Sequence, residues 1–102
     1  MAEYRKLVRD KIPGIILNNG EQPMIRRLED REFKQELLKK LIEEAIELME
    51  TPNIEERADV EEVLRFIDEQ FGFTPEEIEI NRLKKAGDRG VFEDRIFLEK
   101  TV

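Results

Sequence analysis

Glu44 and Glu47 stand three residues apart, and after a short interval so do Glu56 and Asp59. On helices, that spacing places the two members of each pair on one face. Carboxylates converging from facing helices are a common way for bundles to hold divalent cations, and oxygen ligands suit hard ions such as Mg2+ or Mn2+. Composition leaves little competing chemistry. The chain has no histidine and no cysteine, which removes imidazole and thiolate metal sites, disulfides and Cys-His nucleophiles. Serine is absent as well, so a Ser-His-Asp system is excluded. Carboxylates, lysines, arginines, Tyr4, three threonines and a few amides remain.

The 102 residues are expected to form a single domain spanning 1–102, with one modest hydrophobic core. Charged residues make up 42% of the chain and the net charge is -7. Bulk electrostatics therefore disfavour nucleic acid and anionic membrane as partners, and any phosphate must be held locally. No apolar run approaches the roughly 20 residues of a membrane helix, and Met1 to Asp10 lacks a signal-peptide core, so a cytoplasmic protein is expected. Abundant Glu, Lys and Arg without cysteine also fit a thermophilic source.

The pattern predicts an all-α fold. Asp10 is placed to cap a short helix over about 11–18, with Pro13 in its first turn, and residues 22–28 read as extended or irregular. Asp30 is placed to cap a long helix to Glu50, with Leu37, Leu38, Leu41, Ile42, Ala45, Leu48 and Met49 as its apolar stripe. Thr51-Pro52-Asn53 breaks the chain, and Asn53 caps a second helix over about 54–71 that stops at Gly72. So short a break makes the two helices antiparallel neighbours. Thr74-Pro75-Glu76-Glu77 reads as a capping box opening a third major helix to about Ala86. Val91 to Leu98 reads as a short strand or an extended tail.

Most of the 25 acidic residues must be ordinary solvated ones, so the helical wheel is the test. At about 100° per residue from Leu37, the apolar stripe of the long helix spans roughly 0° to 140°, with Glu44 near 340°, Glu47 near 280° and Glu43 near 240°. Glu44 borders the stripe and the other two flank it. On the next helix, Glu56 and Asp59 fall inside the sector occupied by Val60, Val63, Leu64, Phe66, Ile67 and Phe71. An acid placed where leucine is expected needs a partner. A cation is one such partner. Structural alternatives stand beside it: Glu56 closing a capping box with Asn53, Asp59 paired with Arg5, Arg9 or Arg95, and Glu43 on a solvated face.

The run Glu43-Glu44-Ala45-Ile46-Glu47, followed by Glu56-Arg57-Ala58-Asp59, resembles the EExxE and ExxD motifs of the MazG-like all-α nucleoside triphosphate pyrophosphohydrolases. Lys6-Leu7-Val8-Arg9-Asp10-Lys11-Ile12-Pro13 is similar to the opening of a compact, phosphoribosyl-ATP pyrophosphohydrolase-like branch, and Arg89-Gly90-Val91-Phe92-Glu93-Asp94-Arg95-Ile96 is similar to its closing segment. Only eight residues separate Glu47 from Glu56, fewer than relatives commonly carry. The resemblance implies a helical bundle in which Mg2+, or Mn2+, assists cleavage between the α and β phosphates of a nucleotide. Glu44, Glu47, Glu56 and Asp59 would be the metal ligands, and Glu43 or Glu44 would accept a proton from water.

Lys6, Arg9 and Lys11 near one end, and Lys84, Lys85, Arg89 and Arg95 near the other, are the candidates for holding phosphate. Asn81 could read a base or ribose. A homodimer or homotetramer is expected, because one copy leaves the acids half covered. A phosphoribosyl-ATP pyrophosphohydrolase-type activity is the same-class alternative, and a non-catalytic helical interaction module is the alternative from another class.

Overall fold

The computed structural model describes residues 4–102, so the first three residues of the Met1–Asp10 stretch lie outside it. Four helices follow one another, α1 (Ile12–Asn18), α2 (Asp30–Glu50), α3 (Ile54–Phe71) and α4 (Pro75–Arg89), with no strand among the described residues. They divide into two units, 1–72 and 73–102.

Within the first unit, α2 and α3 are the helices that pack on each other. Thr51, Pro52 and Asn53 join them, a short link of the kind that returns one helix along the other as an antiparallel neighbour. Asn53 caps α3 as expected: its side-chain oxygen accepts a hydrogen bond from the Glu56 amide at 2.8 Å. Gly72 ends the helix at φ 72, a left-handed conformation that glycine takes at little cost.

Two other caps differ from expectation. Neither Asp10 nor Asp30 donates or accepts a capping bond: Lys11 occupies the cap position of α1 and Glu29 that of α2, both without a side-chain cap. Asp30 instead falls within the first turn of α2, where a negative charge still complements the helix dipole. The segment between α1 and α2 is irregular, as its composition suggested.

The apolar centre of the pair is small. Among the described residues, Leu37 on α2 and Ile67 on α3 are the buried hydrophobic ones, 3% and 5% exposed, and the third buried residue is Glu44, at 8%. Burying an acid at the same depth as the two core aliphatics is costly without compensation, and that choice distinguishes this helix pair.

The second unit holds α4 and the C-terminal segment. Thr74 caps α4, accepting from the Glu77 amide at 3.1 Å and donating its hydroxyl to the Glu77 carboxylate at 2.9 Å. The helix runs three residues beyond the expected Ala86, passing through Gly87 and ending at Gly90 with φ 83. A helical Gly87 costs about 1 kcal/mol against alanine, which a capped stop at Gly90 can outweigh. Residues 91–102 form no strand. A turn from Phe92 to Arg95 interrupts them, with the Arg95 amide 3.3 Å from the Phe92 carbonyl.

Candidate metal centre

Glu44 and Glu47 project from α2 toward Glu56 and Asp59 on α3, so that one carboxylate oxygen from each of the four lies within 4.8 Å of all the others. The helical spacing creates each pair, and the three-residue turn brings the pairs together. Four such charges at this range repel unless something positive or a proton intervenes.

On the buried side this charge is compensated only in part, by Lys40 at 3.6 Å from Glu44 Oε1. Glu44 Oε2 and Glu56 Oε2 are both shielded from solvent with no hydrogen-bond partner. Native structures seldom leave buried oxygens in this state unless an ion or water belongs there. Glu56 does not use its carboxylate to close a capping box; only its backbone amide takes part in the Asn53 cap.

The open side is different. Arg9 Nη2 donates to Asp59 Oδ1 at 2.7 Å, so the arginine alternative for Asp59 is present alongside its place among the four carboxylates. Lys6 Nζ lies 3.3 Å from Glu43 Oε1. Lys40 sits between the two adjacent acids of α2, 3.4 Å from Glu43 Oε1 and 3.6 Å from Glu44 Oε1, with its own side chain mostly covered. Lys40 was not among the residues picked out from the sequence. Its position three and four residues before Glu43 and Glu44, the ordinary helical ion-pair spacing, was the available signal.

Glu43 is not one of the four clustered carboxylates, and Lys11 is exposed. Lys84, Lys85 and Arg89 are on α4, and Arg95 is in the following segment, all in the second unit. There Asn81 and Lys85 line a shallow depression with Phe73 and Ile78. Of the three basic candidates in the first unit, Lys6 and Arg9 pair with acids of α2 and α3.

These surroundings shift the acids in opposite directions. Glu44 is raised, chiefly by burial, then by a hydrogen bond with Glu47 and the charges of Glu47 and Asp59, with Lys40 pulling the other way. Burial is also the main cause for Glu56, followed by the charges of Glu47 and Asp59. For Glu43, burial pushes upward but Lys6 and Lys40 outweigh it, holding the carboxyl below its usual range.

A carboxyl raised on folding makes the native state bind more protons between the ordinary value of 4.5 and the raised one. Stability from Glu44 and Glu56 therefore falls as pH rises through that window. Glu43 acts in the opposite sense: its stabilisation is present above 4.5 and is lost as pH falls through its lowered pKa. In chelator-treated protein, the stability difference between Glu44→Gln and wild type should thus grow in favour of the variant as pH climbs above 4.5. Urea unfolding across a pH series reads this directly, and a pH-independent difference would contradict it.

No family model, curated protein or solved structure matches this chain. The donor set speaks for itself: four oxygen ligands without nitrogen or sulfur suit a hard divalent cation and disfavour a soft one. Among the described residues, no helix is long and apolar enough to cross a membrane.

Proposed function

We propose that this chain is a metal-dependent nucleotide pyrophosphohydrolase, releasing a nucleoside monophosphate and pyrophosphate. The observation that carries the metal half of the reading is the convergence of Glu44, Glu47, Glu56 and Asp59 with two buried, unpartnered oxygens among them. The choice of a nucleotide rests on the motif order and the two terminal segments that resemble the MazG-like enzymes. Lys6 and Arg9, from the first of those segments, lie against the acids.

Glu44, Glu47, Glu56 and Asp59 would hold Mg2+ or Mn2+, an ion that neutralises polyphosphate charge and makes water more acidic when bound. Glu43, outside the four and kept ionised by Lys6 and Lys40, is the carboxylate left to accept a proton from the attacking water. The same lysines weaken it as a base, so the reaction depends on water already being acidified. Arg9 can offer paired N–H groups to a phosphate. Lys6 supplies a single positive charge beside Glu43.

The deciding experiment is a product-resolved screen of nucleoside triphosphates and phosphoribosyl-ATP with Mg2+ or Mn2+, with Asp59→Asn as control. Pyrophosphate and a monophosphate should form with the wild type and not with the control. Cation binding without release of any phosphate would instead identify a non-catalytic helical module.

We further propose that the chain works as a homodimer or higher homo-oligomer, joined along α2. Leu38, Ile42, Ala45, Ile46 and Met49 form a second apolar stripe on that helix, all exposed, on the side turned away from the buried Leu37.

A further inference from the structure

We propose that Arg9 is a resident counter-cation of the acid cluster, one that gives up Asp59 when a divalent cation binds and turns to a phosphate of the incoming ligand. The inference rests on the reading of the four carboxylates as a cation site, and adds an exchange within it.

The two sides of the cluster differ in how they are neutralised. At the buried side, Glu44 has a side chain only 10% exposed and an oxygen without a partner. At the open side, Asp59 is 38% exposed and already engaged by the guanidinium at 2.7 Å. Asp59 has a second oxygen to offer a cation, but two positive charges so close to one carboxylate repel. A cation entering the site therefore weakens this pair.

Several features make the exchange easy. Arg9 is itself 57% exposed, and exposed ion pairs hold weakly in water. It belongs to the irregular stretch before α1 rather than to a helix, so the side chain can move without disturbing α2 or α3. One Nη2 bond to Asp59 occupies a fraction of the five donors of a guanidinium, whose planar fork matches phosphate. Lys40 is the contrast: its side chain is mostly covered and lies between two acids of its own helix, so it remains in place.

This arrangement orders binding. Without a cation, Arg9 screens the acids and is itself engaged; once a cation is present, repulsion frees it at the moment a polyphosphate needs a positive partner. Removing Arg9 should then have opposite effects on the two ligands.

The test is calorimetric titration of Mn2+ into metal-free wild type, Arg9→Met and Lys6→Met, followed by titration of inorganic pyrophosphate into the Mn2+-loaded proteins. Lys6→Met removes the same charge from a carboxylate outside the four, so it controls for net charge. Arg9→Met should bind Mn2+ at least about threefold more tightly than wild type, with Lys6→Met changed by less than about twofold. Pyrophosphate should bind Arg9→Met roughly tenfold more weakly. Equal Mn2+ affinity in Arg9→Met and wild type, or equal tightening in both variants, overturns the proposal. So does undiminished pyrophosphate binding. Failure of the wild type to bind Mn2+ at all would instead remove the underlying cation-site reading.

Discussion

Glu44→Gln is expected to bind Mg2+ or Mn2+ on the order of a hundredfold or more weaker than wild type, because even outer-sphere partners of a metal ligand are worth 10- to 100-fold in affinity. Nucleotide hydrolysis should fall at least as far. The same variant, stripped of metal, should be more stable than wild type. Glu44 is buried almost as deeply as Leu37, with one oxygen lacking a partner, and it faces the charges of Glu47 and Asp59. A glutamine of the same shape removes one of those charges and offers N–H donors to the acids that remain. Relieving one unsatisfied buried acceptor is worth about 1–3 kcal/mol, which for a small domain is roughly 4–8 °C in Tm per kcal/mol. Saturating Mn2+ should reverse the ranking, because it stabilises the wild type by mass action and barely affects the variant. Thermal melts of both proteins with chelator and with Mn2+ give the four values needed. A variant less stable than wild type in chelator would mean that Glu44 is held by contacts within the chain rather than reserved for a cation.

The prominence of Glu44 could not be ranked from one helix alone. Counted from Leu37, the apolar residues of α2 span about 140°, and Glu44 falls just outside that arc. The arc, however, serves two purposes. Its early part, with Leu37, Leu41 and Leu48 within about 40°, is buried or half-buried, whereas Ala45, Leu38, Met49 and Ile42, from about 80° to 140°, are exposed. The sector facing α3 is thus centred close to Leu37, and it includes Glu44 and, at about 300°, the mostly covered Lys40. An apolar arc too wide for one neighbour moves the apparent centre of the buried face away from the true one.

Short-range signals were the most legible. Asn53 and Thr74 cap the helices they were expected to cap, and Gly72 ends α3. Asp10 and Asp30 have the right residue type but not the right place, since helix starts are uncertain by a residue or two. The α2–α3 pairing was legible in the short break between the two helices. Pairings across long sequence separations were harder to see. Arg9 was one of three arginines that could meet Asp59, fifty positions away, and nothing local distinguished it from Arg5 or Arg95. Lys6 reaches Glu43 across thirty-seven positions, also from the segment before α1. Chain-level charge patterning identifies which residues could hold phosphate but not which of them meet the acids.

The exposed stripe of α2 leads to the other large effect. Leu38, Ile42, Ala45 and Met49 recur at spacings of four, three and four, the repeat by which one helix packs along another. Ile42 is 64% exposed and Met49 74%, whereas the repeat through Leu37, Leu41, Glu44 and Leu48 is the one turned toward α3. A helix carrying two such stripes is built to pack on two sides. Charge favours a second copy of α2 in antiparallel orientation. Its first half is nearly balanced, Arg31, Lys34, Lys39 and Lys40 against Asp30, Glu32 and Glu36, whereas its second carries Glu43, Glu44, Glu47 and Glu50 with no base, so reversing one helix against another keeps the two acidic halves apart. Leu38 would then meet Met49, and Ile42 would meet Ala45, across a two-fold axis. Ile42→Glu places a charge at the middle of this contact while leaving the single chain unperturbed, since the side chain it replaces is already solvated. The variant should sediment as a monomer where the wild type sediments as a dimer or larger, with a dissociation constant raised by at least about a hundredfold for two charges opposed in an apolar seam. Far-ultraviolet circular dichroism should be nearly unchanged. A wild type that is monomeric at high micromolar concentration, or an Ile42→Glu variant that stays associated, would rule out α2 as the seam.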